Sequence, residues 1–351
     1  MSVRIPKFGG YSARQSLVLI SLGLAWVTAS SAMAQRAPTA TRPKADASMV
    51  TTKPGAKHSD AFASPEAIGR WINGYRGKPE PNKLPELFHA MAGLGMFGDI
   101  DTAGLYLGFI GGMLAENPVK AQELVARIFP LSPEYQAALI KAVAYSGMNG
   151  WQDLLRSNAE RMPARVVLID RYTTGKMPAL EGLKLDAGPV PLDVMWGNYY
   201  ATGGYEPILR IISVLKWSKD ENDVEKLTVG SMAKWTLASN AGRDAELLRL
   251  LKASLAQEPA SVQKLLSEVI LAAETGETSV IRREALLAIE QLKAKGPAKT
   301  RTTAWWGQAG QMALAFGCVA ASAFGAPAAI GVPCVIGGAA STAALKLMTP
   351  N

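Results

Sequence analysis

Apolar positions in this chain recur at helical spacing. In 132–146 (SPEYQAALIKAVAYS), Tyr135, Ala138, Leu139, Ala142 and Val143 follow the i, i+3, i+4 pattern of an amphipathic helix. In 242–255, Leu247, Leu248, Leu250, Leu251 and Leu255 do likewise, and 263–273 and 279–293 read the same way. Start signals punctuate the stretches between. Ser64-Pro65-Glu66 combines an N-cap, a proline at the first helical position and an early acid. Leu84-Pro85-Glu86, Asn117-Pro118 and Ser132-Pro133-Glu134 repeat the device, and Asp101-Thr102 and Asn149-Gly150 also look like starts.

These starts, near 65, 85, 102, 118, 133 and 150, are spaced by roughly sixteen residues, room for a short helix and a turn, so consecutive helices are expected to pack antiparallel. Two steps make a unit of about 33 residues, a period of stacked helical arrays. The expected class over 63–300 is all-α, with stacked antiparallel helical hairpins of the α-solenoid, TPR or HEAT type of architecture. No named repeat fits: Leu94-Gly95 with Phe97 and Ala103 has the wrong spacing, and 205–257 is HEAT-like only in flavour. The best β-branched run, Val166–Ile169, is explained equally well by a helix beginning at Pro163, and no alternating strand pattern recurs.

Two regions depart from this pattern. Residues 1–34 carry Arg4, Lys7 and Arg14, then the apolar run from Ser16 to Ser31, then Ala32-Met33-Ala34. That order is the charged start, apolar core and A-x-A site of a cleavable secretory signal. The mature protein is therefore expected to begin near Gln35 and to be exported, periplasmic or envelope-associated. Residues 35–62 are rich in Pro, Thr, Ala, Ser and Lys with little apolar content, and are expected to form a disordered linker.

At the other end, 302–345 holds no charged residue. Gly325-Ala326-Pro327 divides it into two segments of about twenty residues, each long enough to cross a bilayer. Ala309, Ala313, Gly317, Ala321 and Gly325 recur every four positions, a small-residue stripe that admits close helix packing. Trp305 and Trp306 stand where interfacial aromatics belong. Against insertion, Ala and Gly are weakly apolar and Pro333 interrupts the second segment. A membrane-associated hairpin and a hairpin buried on the helical body both remain open. Cys318 and Cys334 lie in this region as a disulfide candidate; the other reading is two buried thiols.

Composition sharpens the functional picture. The formal charge of +8 comes mostly from the N-terminus, with three basic residues in the signal and Arg36, Arg42, Lys44, Lys53 and Lys57 against Asp46 and Asp60 in the linker. The body is nearly neutral, unlike the basic face of a nucleic-acid binder. His58 lies in the linker and His89 in an apolar helix, and no H-E-x-x-H, C-x-x-C, G-x-S-x-G or P-loop motif occurs. No metal site, cofactor or catalytic set is implied. Asp99 and Asp101 lie two positions apart, so they do not face one another on a helix.

The segment 190–206 is the richest in side-chain chemistry. It gathers Asp193, Trp196, Tyr199, Tyr200, Tyr205 and Glu206, the candidate binding residues. Asp193, Trp196 and Tyr200 share a helix face at i, i+3 and i+7, and Gly203-Gly204 suits a left-handed C-cap. Aromatic faces beside carboxylates serve sugar or peptide sites, and they also serve helix packing. The function expected is an exported, non-catalytic helical scaffold that binds a protein or envelope component. The alternatives are a protein that inserts or oligomerises through 302–345, and an envelope glycan-cleaving enzyme using an acidic residue.

Overall fold

The computed structural model describes residues 60–100 and 103–294. Among these residues there are thirteen α-helices, several short 3-10 turns and no strand. The signal, most of the linker, the apolar hairpin and both cysteines lie outside the described residues. No helix among the described residues is long and apolar enough to cross a membrane.

Most of the start signals act as expected. Helix α1 (Pro65–Gly74) is capped by Ser64, whose hydroxyl accepts from the Ala67 N–H at 3.2 Å. Helix α2 spans Leu84–Gly93 and α3 spans Gly104–Ala115. The start expected at 118 moves: Asn117–Lys120 form a turn, and α4 covers only Ala121–Ala126. Pro133 opens α5 (Pro133–Ala144), and α6 follows at Trp151–Ser157. The β-branched run becomes α7 (Val166–Thr173), entered through a 3-10 turn at Pro163–Arg165. Helix α8 (Pro189–Thr202) ends at Gly203 with φ 69°, the left-handed C-cap expected there, and α9 (Tyr205–Ser213) follows. The chain closes with α10 (Val224–Ala241), α11 (Ala245–Ser254), α12 (Ala260–Thr275) and α13 (Thr278–Ala294).

The helical body begins slightly earlier than expected. Phe62, assigned above to the linker, is 1% exposed and meets Trp71 edge-on at 5.1 Å. Burying such a ring offsets the ordering of the short turn at Asp60–Phe62.

Among the described residues the helix pair in the most extensive contact is α3 with α8, which start at positions 104 and 189. Layering each helix on the next therefore does not organise this part of the chain. The reason lies in α3 itself (GLYLGFIGGMLA): it is apolar on every face, and each residue from Gly104 to Leu114 is buried. Gly104, Gly108 and Gly112, spaced by four, form one stripe. A Cβ at Gly108 would sit 2.2 Å from the Val194 carbonyl oxygen, and one at Gly112 would sit 2.6 Å from the Ala201 Cβ. From the other side, a Cβ at Gly197 would sit 2.0 Å from the Leu105 carbonyl oxygen. Absent side chains thus let two backbones touch. The matches run in the same order on both helices (104 with 190, 108 with 194, 112 with 198), so α3 and α8 are parallel and end together. Beside this stripe, Gly111 admits the backbone at the end of α5. The second half gathers around α10, which packs on α12, α13 and the 3-10 segment Leu215–Lys219.

Candidate functional site

Because α3 and α8 end side by side, their C-terminal ends form the floor of a cleft of about 870 Å³. Glu116 and Asn117 come from the end of α3, and Ala201, Thr202 and Gly203 from the end of α8. Tyr75 and Arg76 enter from the turn after α1, Tyr205 and Leu209 from α9, and Glu246, Arg249 and Ala253 from α11. Segments from 75 to 257 thus converge on one opening.

One wall is held by an ion network. Asp244 precedes α11, and its Oδ1 accepts from the N–H groups of Glu246 (3.0 Å) and Leu247 (3.1 Å), the N-cap arrangement. Its Oδ2 accepts from the Arg76 guanidinium and from the Tyr199 hydroxyl at 2.8 Å. Arg76 Nη1 also donates to the Tyr199 hydroxyl at 3.1 Å and to Glu246 Oε2 at 3.3 Å, and the guanidinium lies 4.5 Å from the Tyr199 ring centre. Burial alone would raise the Asp244 carboxyl. The Leu247 N–H, the Tyr199 hydroxyl and Arg76 together outweigh it and hold the group below the usual carboxylate range. Burial and the bond to Asp244 push the Tyr199 hydroxyl well above its ordinary value. The network therefore stays ionised and clamps α1, α8 and α11 at the cleft. Asp244 is a locked anion, poorly suited to donate a proton at neutral pH.

Other groups at the cleft have no partner. The Tyr75 hydroxyl is buried without a hydrogen bond, and the residue is only 2% exposed. Burial and then the charges of Glu116 and Glu80 push it up to about 12. Arg76 Nε is likewise buried with no acceptor.

The six residues singled out in 190–206 divide three ways. Trp196, Tyr199 and Tyr200 are buried. Trp196 stacks on Tyr200 at 5.9 Å and donates from Nε1 to Thr236 Oγ1 at 3.0 Å, which makes both rings core. Asp193 also turns inward: its Oδ1 is buried without a hydrogen bond, and burial raises the carboxyl well above the usual range. Tyr199 and Tyr205 do line the cleft, Tyr205 as an exposed rim, while Glu206 is exposed and does not line it. The shared face of Asp193, Trp196 and Tyr200 is real but points into the protein; the cleft receives Tyr199 from the neighbouring face.

Sequence reasoning missed the charged cleft residues Arg76, Glu116, Glu246 and Arg249, and Asp244 behind them, which holds Arg76 and Tyr199. Asp244 was the most readable, since Asp244-Ala245-Glu246 before a leucine stripe is an N-cap signature. Its pairing with Arg76, 168 positions away, leaves no local trace. No group of three or more metal-ligating side chains occurs among the described residues. No protein-family model, curated protein or solved structure matches the chain.

Proposed function

We propose that the protein is an exported, non-catalytic helical binding protein of the cell envelope, and that the cleft at the joint ends of α3 and α8 is where it holds its partner. The observation that carries this reading is the cleft itself. Its volume of about 870 Å³ lies within the range of ligand sites, roughly 300–1,000 Å³. An ion network fixes its wall, and buried polar groups at its lining lack partners. Such groups are costly unless something satisfies them, by about 1–3 kcal/mol each. The export pattern in residues 1–34 supports the compartment. The scaffold character expected from the sequence is best supported in α10–α13, where α10 touches α11, α11 touches α12 and α12 touches α13. We read that half as the solenoid-like part of the molecule.

A glycan-cleaving reading needs a raised-pKa acid facing an open aromatic cleft. Asp193 has the raised pKa but lies away from the cleft lining, and Asp244 is at the cleft wall but is held ionised.

The test is co-purification from envelope fractions using a tag placed in the linker, after residue 55. The mature chain is expected to start at Gln35 and to retain a partner that Ala253→Trp loses, because an indole on α11 fills the cleft. An unprocessed chain retained inside the cell would defeat the export reading. A partner indifferent to Ala253→Trp would defeat the cleft.

A further inference from the structure

The two walls of the cleft carry opposite charges that the protein leaves unspent, and they specify the chemistry of what binds. This inference rests on the reading of the cleft as the binding site. Helices α3 and α8 are parallel and end together, so two partial negative charges, each about half an elementary charge, fall at its floor. The protein answers one of them with a charge. The Arg76 guanidinium lies beside the end of α8, with Nη1 3.5 Å from where a Cβ on Gly203 would stand. The end of α3 receives the opposite treatment. Its Met113 carbonyl accepts from the Asn117 side-chain amide at 2.8 Å, a neutral cap, while its C-cap residue is an acid, Glu116, exposed and with no ion pair among the described residues. The negative end of a helix and a carboxylate together attract a cationic donor.

Helix α11 presents the complement. Arg249 is exposed in the cleft with no ion pair among the described residues, and Glu246, one turn earlier, is engaged by Arg76. Tyr205 and Leu209, one turn apart on α9, give the rim an exposed apolar ledge. Tyr199 is covered by Arg76 and Tyr200 by Trp196, so α8 offers a sugar no open aromatic face, and the exposed ring of Tyr205 stands at the rim beside the aliphatic Leu209.

We propose that the cleft binds an extended polypeptide segment of a partner protein that carries both charges. Its Lys or Arg side chain donates to Glu116, its Asp or Glu carboxylate accepts from Arg249, and an apolar side chain lies on Tyr205 and Leu209.

The experiment pans a library of random ten-residue peptides against the full mature chain. Affinity of the enriched peptides is then measured by fluorescence polarisation for wild type, Glu116→Lys, Arg249→Glu, the double variant and Ala253→Trp. The enriched peptides are expected to pair a basic with an acidic residue. Each single reversal weakens them tenfold or more, and the double variant regains binding to peptides whose two charges are exchanged. Lysine at the C-cap of α3 suits the helix dipole, so loss of binding in Glu116→Lys does not reflect a weakened helix. Enriched peptides lacking either charge, single variants binding within twofold of wild type, or no enrichment at all would overturn the proposal. If Ala253→Trp blocks binding while the charge variants do not, the charge assignment alone is wrong. If peptides bind Ala253→Trp unchanged, the cleft is not the site.

Discussion

In the α3–α8 pair the helices meet through glycine, and in the α10–α13 layer they meet through leucine, valine and isoleucine. Helix α3 has no polar face and is buried along its length. Helices α11 and α12 each keep a solvent face and bury one stripe: Leu247, Leu250 and Leu251 on the first, Val262, Leu265, Leu266 and Val269 on the second. Backbone in contact with backbone has almost no room to adjust, whereas interdigitated side chains repack. The second layer even accommodates a buried cation, since Lys234 on α10 is paired with Glu268 on α12. Its one comparable backbone approach is Gly230, where a Cβ would sit 2.2 Å from the Ser218 nitrogen. The two halves share a fold class but differ in how they bear substitution.

Gly197→Ala is the largest test of that difference. A methyl group is the smallest addition available and improves helix propensity by about 1 kcal/mol. Here it would stand 2.0 Å from a main-chain oxygen of α3, which no rotamer change relieves. The expected net loss exceeds about 3 kcal/mol, at the upper end of overpacking costs. Urea unfolding of the mature chain measures it. The ends of α3 and α8 form the cleft floor, so affinity for any cleft ligand should fall along with stability.

Leu266→Ala comes next. Leu266 is fully buried on α12, and its truncation should cost about 3 kcal/mol through lost transfer energy and the cavity left behind. Leu266→Met, which conserves volume, should cost less than about 1.5 kcal/mol. The contrast is the measurement: one extra methyl group in the glycine pair should harm more than rearranging a whole side chain in the leucine layer. Equal costs for Gly197→Ala and Leu266→Met would remove the distinction between the halves.

The same contrast explains what was legible in the sequence. A helix with a polar face announces both its limits and its direction, and α1, α5, α11, α12 and α13 were readable from stripes and caps. Helix α3 has no polar side to point outward, so its pattern of apolar residues and glycines names no partner. The four-residue spacing of Gly104, Gly108 and Gly112 was visible, but its match, Gly197, stands at the far end of a long intervening stretch. The candidate site was readable to the same depth. A helix face could be drawn through Asp193, Trp196 and Tyr200, yet whether that face meets solvent depends on α3, which periodicity did not place there. The Arg76–Asp244–Tyr199 network joins three segments distant in sequence, and spacing carries no record of such a contact.

Asp193 gives the smallest and most discriminating effect, because it places a carboxyl group in the interface that tolerates least. Its Oδ1 is buried and unpartnered, and a Cβ on Gly104 would come within 2.9 Å of its own Cβ. Tyr106, whose hydroxyl is also buried without a partner, feels its charge, as it feels that of Glu66. Burial raises the folded-state pKa of Asp193 well above the unfolded value of about 3.9. Between those two values the folded carboxyl holds a proton that the unfolded one has released. Stability should therefore fall as pH rises through that window, the opposite of a salt-bridged aspartate. Asp193→Asn supplies the neutral isostere and should abolish this slope. The variant should match wild type near pH 4 and exceed it at pH 8. Asp244 titrates in the opposite sense and lower, below the usual carboxylate range, so urea midpoints taken from pH 4.5 to 8 isolate Asp193. Parallel profiles for the two proteins would show that the carboxyl is not held in the α3–α8 interface. A slope lost in Asp193→Asn would mark the glycine pair as the half of the molecule whose packing responds to pH.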